Sequence, residues 1–471
     1  MIKGSNNIIA LLFLFYLILT DCKEVDNIIN DENNGQNEKL LFVWEHFRHG
    51  AREPCNQLDP ITWIDFIRVQ WSSQGELNSL GLRAHYLLGS STRKLYNNFL
   101  SEKFDPNEIY IISTDVNRTI VSAMANLQGL YKNYTTQNLT ETQINNSKIE
   151  TFNDTYQKEI DAKIDELNFS CIQNGINSIP IHIFSPSSLQ FQLNSKDICP
   201  GIQKYQDEAK DQKDVKNLLN DFFQLTNDTY GEYIFKFMNI SGENPNYLWE
   251  DLNLLYICDT FIADYFSGRD MTHIRNTGID MEEFYEHSLN YLFIIIHYYD
   301  YGLPPTRAAT ITVSPMFRTI FNYMDRRIYI NEHSDYKEIN SSSPKYVIYS
   351  GHDSTSGAIN VFLNQTLNIS YDRPVYATSQ YFELWEKDKK YYVKYLVNQV
   401  KKGEYEYEIF KDQILGTIFS EDEIEEICFG ETTIKKESFV RTLFFIVVSI
   451  LIVALLLLIS LIILGKMKKN L

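Results

Sequence analysis

The chain lacks what a nucleic-acid binder, a zinc protein or a fibrous protein would need. Its 471 residues hold 43 Lys and Arg against 61 Asp and Glu, a formal net charge of −18 with an isoelectric point near 5.0. A protein that grips a polyanion normally presents a basic face, so nucleic acid is excluded as a partner. Cysteine is scarce, and its six positions, Cys22, Cys55, Cys171, Cys199, Cys258 and Cys428, form no Cys-X-X-Cys; the histidines form no His-X-X-X-His. Neither spacing favours a structural zinc site, and we expect no metal and no cofactor. Twenty glycines and 12 prolines are too few for a collagenous or low-complexity chain, and no internal repeat is visible. What is plentiful is apolar side chain: 44% hydrophobic and 14% aromatic residues build a full core, which also excludes a disordered acidic tail.

Long apolar runs occur only at the two ends. After Met1, Ile2 and Lys3 an apolar stretch runs from Ile8 to Leu19, with the small Thr20 and Cys22 where a cleavage site wants them, so residues 1–22 read as a signal peptide. From Leu443 to Leu464 the sequence is broken only by Ser449 and Ser460, long enough to cross about 30 Å of hydrocarbon as a helix. Lys466, Lys468 and Lys469 follow, which places the tail 465–471 in the cytoplasm and the long middle segment in a lumen or outside the cell, a single-pass type I membrane protein. Without these ends and Arg441, which flanks the apolar run, 38 basic and 60 acidic side chains remain, a net −22. Such a surface repels anions at long range, so any phosphate site must gather its own arginines or lysines.

Sequons agree with export: Asn133, Asn138, Asn145, Asn153, Asn168, Asn227, Asn239, Asn340, Asn364 and Asn368 each begin Asn-X-Ser/Thr. The densest group lies between Asn133 and Asn168, a polar stretch that reads as a surface insertion. Cleavage after Cys22 would leave five cysteines, an odd number in an oxidising compartment.

The middle reads as α/β. Strands are expected over Leu40–Phe47, Glu108–Ser113, Lys345–Ser350, Phe382–Trp385 and Tyr391–Asn398. Helices are expected over Leu80–Leu100, with Leu80, Ala84, Leu87, Leu88 and Leu95 as the apolar positions, and over Thr119–Tyr131, Lys216–Leu225, Tyr247–Phe266 and Met281–Tyr299. Strand-rich ends around a helical middle indicate one α/β domain over 38–430, its core at about 38–135 and 300–430 and a helical insertion at about 155–300.

Chemistry begins where the first strand ends. Phe47-Arg48-His49-Gly50-Ala51-Arg52-Glu53-Pro54 sets a histidine between two arginines, with Gly50 allowing a tight turn. Two guanidiniums can fork onto a phosphoryl group while the imidazole attacks its phosphorus. By itself the same spacing also suits a surface turn.

The segment resembles the signature of the histidine acid phosphatase family, Arg-His-Gly-X-Arg-X-Pro, complete from Arg48 to Pro54. The resemblance continues through Gly75-Glu76-Leu77, Leu80-Gly81-Leu82-Arg83 and His85-Tyr86-Leu87-Leu88-Gly89. It extends to Ser113-Thr114-Asp115-Val116-Asn117-Arg118-Thr119, where the family carries a third phosphate-binding arginine, and to Ser350-Gly351-His352-Asp353, which is similar to the family's His-Asp pair.

The resemblance implies a phosphoglycerate-mutase-like three-layer α/β core. It also implies hydrolysis of phosphate monoesters: His49 forms a phosphohistidine, Asp353 protonates the leaving alkoxide, and Arg48, Arg52, Arg118 and His352 hold the phosphoryl oxygens. Asn117 would then adjoin a closed pocket and stay unglycosylated. Cys199 and Cys428 resemble a pair that animal acid phosphatases bridge; Cys258 resembles half of another, whose expected partner is Ser379 here, leaving Cys171, Cys55 or a free thiol open.

The layout of signal, ectodomain, one helix and short tail is similar to the membrane-anchored lysosomal and prostatic-type acid phosphatases. The acidic total favours a broad monoesterase; a phytase or another inositol- or lipid-phosphate phosphatase is the alternative. A catalytically inactive glycoprotein would be expected to lack one of the six pocket residues, and none is missing. The oligomeric state stays open, a homodimer included. So does the organelle: Lys468 and Lys469 resemble a dilysine retrieval signal for the endoplasmic reticulum, though stopping transfer and orienting the helix is the favoured reading.

Overall fold

The computed structural model describes residues 38–54, 74–132, 138–147, 154–171, 178–183, 199–237, 251–333, 343–370 and 373–430. The expected leader, membrane helix and tail lie outside these residues, as do Cys22, Cys55, Asn133, Asn153, Asn239 and Asn340. Among the described residues no helix is long and apolar enough to cross a membrane.

Strand β1 (Glu38–Arg48) is buried from Leu41 onward and feeds both faces of the sheet, as the two-residue period of a strand requires. Phe42 and Trp44 enter one core, Val43 and Phe47 the other. Helix α1 (Ser79–Leu95), strand β2 (Ile109–Ser113) and helix α2 (Asn117–Leu130) follow. The short α3 (Glu141–Asn146), which buries no residue, and α4 (Asp154–Leu167) occupy the polar stretch. Next come β3 (His182–Ile183), α5 (Ile202–Lys210), α6 (Lys213–Phe237), α7 (Asp251–Phe266), α8 (Thr272–Arg275) and α9 (Met281–Ile294). Helix α9 runs into a π-helical turn at Ile295–Tyr299, so the expected single helix over Met281–Tyr299 changes hydrogen-bond pattern near its end. The chain continues through α10 (Arg307–Glu332), β4 (Tyr346–Gly351), α11 (Asp353–Leu367), β5 (Ser379–Lys387), β6 (Lys390–Val397), β7 (Val400–Glu406) and α12 (Tyr407–Leu415).

The sheet has the order β3-β2-β4-β1-β5-β6-β7. Its first four strands are parallel, and β5, β6 and β7 add antiparallel. Helices cover both faces, giving three layers. Tyr96 of the turn after α1 and Ala123, Leu127 and Leu130 of α2 pack on Val43, Ile111 and Ile348. On the opposite face Phe317 and Phe321 of α10, Phe362 of α11 and Phe410 of α12 pack on Trp44, Val347 and Phe382. The helices between β3 and α10 build cores of their own, one around Ile257, Phe261 and Phe284, another around Phe222, Leu254 and Tyr291.

Helix α1 departs from its expected facing and ends at Leu95, not Leu100. Its buried residues are Gly81, His85, Gly89 and Thr92, while Leu80, Leu87 and Leu95 are exposed. The reason is backbone proximity. A Cβ on Gly89 would stand 1.9 Å from the Asn126 carbonyl oxygen, and one on Gly129 would stand 2.0 Å from that of Tyr86. The two helices cross so closely that their contact face is made of small residues, and the larger side chains turn outward.

Cys199 and Cys428 form the disulfide that the resemblance implied, tying the start of α5 to the helical residues 421–430 across a separation of 229 residues. Cys258 is a buried thiol beside Ser288.

Candidate active site

Parallel strands present their carboxyl ends along one edge of a sheet, where ligands of α/β proteins bind. Here Arg48 pairs with Gly351 across β1 and β4, and Ser113 with Ser350 across β2 and β4. The three candidate segments, residues 48–52, 113–118 and 350–353, therefore leave the sheet side by side.

The loop after β1 is held from several directions. The backbone N–H of His49 donates to the Gly351 carbonyl at 3.0 Å, that of Ala377 donates to the His49 carbonyl at 3.2 Å, and that of Asn78 donates to the Ala51 carbonyl at 3.1 Å. The Gly50 N–H donates to Ser122 Oγ at 3.1 Å. Gly50 was expected to serve a tight turn, but its φ is not positive. Its need is space: a Cβ there would lie 2.6 Å from Gly81 Cα.

His49 is 2% exposed, and its Nδ1 lies 2.9 Å from the Gly50 carbonyl. A carbonyl only accepts, so Nδ1 carries the proton and Nε2 keeps its lone pair. Burial holds the imidazole well below its ordinary pKa, aided by the charges of Arg48, Arg52, His352 and Arg118. The ring is thus held neutral, with a lone pair on Nε2, as acidity rises.

Arg48 is buried beside it. Nη2 forms a 2.7 Å ion pair with Asp353 Oδ2, Nη1 donates to the Pro374 carbonyl at 2.6 Å, and the guanidinium lies 4.6 Å from the centre of the Tyr376 ring. Arg52, also buried, is held in bidentate fashion by Asp259 of α7: Nη2 reaches Oδ1 at 2.8 Å and Nη1 reaches Oδ2 at 3.2 Å. Arg118 is the second residue of α2, and its charge acts on both His49 and His352.

His352 and Asp353 open α11. His352 Nε2 lies 3.0 Å from Thr114 Oγ1, which fixes the ring against β2. Burial, then Arg118, lowers this imidazole to about 4. Burial would raise the Asp353 carboxyl, but Arg48, Arg52 and His352 outweigh it, and the Ser354 N–H donates to Oδ1 at 2.9 Å. Its pKa is lowered, so in the resting pocket Asp353 is an anion without the proton that a general acid requires.

All six residues singled out from the sequence thus gather at one edge of the sheet. Asn117 is exposed, its amide donating to Glu76 Oε1 at 2.9 Å. Sequence reasoning passed over Asp259, Tyr376, Thr114, Ser122 and the Pro374 carbonyl. Thr114 stood inside a quoted motif; Asp259 and Tyr376 carry no local signal, because tertiary packing alone brings them to the arginines. Among the described residues no cluster of His, Cys, Asp and Glu could hold a metal ion.

A sequence model described as the histidine phosphatase superfamily (branch 2) matches residues 39–398. The chain is 44% identical over 100 residues to prostatic acid phosphatase of Mus musculus, covering 21% of this chain and 25% of that protein. It is 40% identical over 96 residues to lysosomal acid phosphatase of Xenopus laevis, covering 20% and 22%. These matches span about a quarter of the relatives' length. Among solved structures, a Hafnia alvei phytase in complex with myo-inositol hexakis sulphate superposes with a TM-score of 0.53 at 14% identity, covering 81% of this chain and 98% of that one, a likeness of fold.

Proposed function

Because this chain belongs to branch 2 of the histidine phosphatase superfamily, we propose that it is an acid phosphatase that hydrolyses phosphate monoesters through a phosphohistidine at His49. The observation that carries this reading is the Nδ1 contact of His49 with the Gly50 carbonyl, which leaves a neutral Nε2 among Arg48, Arg52 and Arg118.

The substrate's phosphoryl oxygens take the guanidinium N–H groups and His352, and the scissile bond lies in line with Nε2. Nε2 forms a bond to phosphorus as the ester P–O bond breaks, and the leaving oxygen takes a proton from Asp353. The arginines hold the charge that develops on the equatorial oxygens. Water then attacks phosphorus, Asp353 accepts its proton, and phosphate leaves with His49 restored.

The resting ion pair with Arg48 explains how Asp353 gains its proton. Phosphate competes for that guanidinium; once Arg48 turns to the phosphoryl group, burial dominates and the carboxyl binds a proton more tightly. A monoester with a second pKa of about 6 carries one in acid. The nucleophile is ready at low pH and the acid is charged by the substrate's own monoanion, so the pocket suits acid conditions.

The test is the His49→Ala variant, expected to lose at least about 10⁴-fold in kcat on an aryl phosphate, together with trapping on wild-type protein, by alkaline quench, of a phosphate that is stable in alkali and labile in acid, as an N–P bond is. Retained turnover in His49→Ala sinks the proposal. Turnover of aryl phosphate, a nucleotide and inositol hexakisphosphate at acid pH separates a broad monoesterase from a phytase.

The proposal extends to placement. The signal-like residues 1–22, the apolar run 443–464 with its lysines, and the sequons support a glycosylated, single-pass type I protein whose catalytic segment faces a lumen or the exterior. Imaging tagged protein with Lys468→Ser and Lys469→Ser tests retrieval to the endoplasmic reticulum.

A further inference from the structure

The second arginine of the pocket is engaged by a carboxylate from a different part of the chain, which bears on which phosphate esters fit. Asp259 of α7 grips both Nη atoms of Arg52, and the two side chains are 9% and 7% exposed. The pattern repeats around the mouth. Arg269 pairs with Glu53, the residue after Arg52, and with Asp264 of α7 at 3.4 Å. Arg373, one residue before the Pro374 carbonyl that anchors Arg48, pairs with Glu286 of α9 at 2.9 Å and donates to Asn290 at 3.1 Å. With Asp353 on Arg48, four arginines of the region each face a carboxylate.

Between these pairs the wall is aromatic. Tyr376 lies over Arg48, and Phe266, 44% exposed, meets Tyr376 edge-on at 5.4 Å. Tyr265 and Tyr285 meet at a tilt, their ring centres 4.6 Å apart. A single phosphoryl group displacing one carboxylate from Arg48 or Arg52 would leave its alcohol against this wall. A second or third phosphate would lie against Asp259, Glu53 or Glu286, whose arginines are already matched.

We infer that Asp259 is a specificity residue: by matching Arg52 it restricts the pocket to one phosphoryl group on a weakly charged, aromatic or apolar alcohol and disfavours polyphosphorylated substrates, with Glu286 on Arg373 extending the same selection at the rim. The inference rests on the phosphatase reading above and names its substrate class. One opposing unit charge a few ångströms from a bound anion changes affinity by on the order of tenfold, and the penalty grows with the charges the ligand carries.

The experiment uses the full chain and two anions without a scissile ester: inorganic phosphate and inositol hexakissulfate. Their dissociation constants are measured by calorimetry for wild type, Asp259→Asn and Glu286→Gln. Wild type is expected to bind phosphate more tightly than the hexakissulfate. Asp259→Asn should tighten the hexakissulfate by about tenfold and phosphate by clearly less, and Glu286→Gln should tighten the hexakissulfate by a few-fold. A wild type that prefers the hexakissulfate, or an affinity ratio that neither variant moves, overturns the inference. If Asp259→Asn folds poorly, the surface variant Glu286→Gln alone decides. Aryl phosphate turnover by wild type is scored separately, since its absence overturns the phosphatase reading while the binding ratio still judges the charge selection.

Discussion

At the scale of single residues, the pocket is poised by exchanges of partner. Asp353 is an anion because Arg48 is 2.7 Å away; in the proposed mechanism it becomes an acid when phosphate takes that guanidinium. Asp353→Asn keeps the shape and removes the proton. It should slow alkyl phosphates, whose alkoxides need protonation, by about 10²- to 10⁴-fold, but activated aryl phosphates by about tenfold or less. Equal losses on both substrates would deny Asp353 the acid's role, and comparing kcat of the wild type and Asp353→Asn on both esters settles it. Each of the six pocket residues could be read from its neighbours in sequence, because each stands at or just past the end of a strand in a matching motif. Asp259 could not: nothing beside it in the chain marks it, and its meaning arises from contact with Arg52, 207 residues away.

At the scale of elements, the crossing of α1 and α2 supports the loop after β1 that carries His49. Ser122 of α2 accepts from the Gly50 N–H, and Gly81 of α1 makes room for Gly50. A Cβ on Gly129 would meet backbone of α1 at 2.0 Å, and backbone cannot rotate away as a side chain can. Overpacking costs about 1–3 kcal/mol or more, against the gain of roughly 1 kcal/mol that alanine brings to a helix. Gly129→Ala should therefore lower the urea midpoint and, by shifting Ser122, reduce kcat; a more stable variant would show that the helices separate without cost. The apolar residues of α1 misled the facing assignment for the same reason. Hydrophobic periodicity finds the buried face only when side chains, not backbones, make the contact.

At the scale of the whole molecule, two sets of buried groups pull stability in opposite directions with pH. Burial lowers His46 and His85 to about 3 and His287, His297 and His352 to about 4. Their contribution is present above the ordinary 6.5 and is lost as pH falls, because only the unfolded chain takes up those protons. Burial raises Glu45, Asp264 and Asp300 to about 7. Their contribution is complete below the ordinary carboxyl values and is lost as pH rises through about 7. Between these limits the imidazoles outnumber the carboxyls. Thermal unfolding should therefore show its highest Tm at about pH 6.5 and decline into acid. A Tm that climbs steadily from pH 7 to 5 would contradict this balance. Phosphate in the pocket should oppose the decline, since whatever binds only the folded chain stabilises it.

The amino-acid order by itself determined the α/β class, the identity of the six pocket residues and the expectation of a phosphate site on an acidic protein, because strand periodicity and motifs after strand ends are local. Tertiary structure alone decided which face of α1 is buried, which nitrogen of His49 is free, that Asp353 rests as an anion, and that Asp259 answers Arg52. These depend on distances between segments hundreds of residues apart, and the strength of a charge or a contact follows distance in space, not position along the chain.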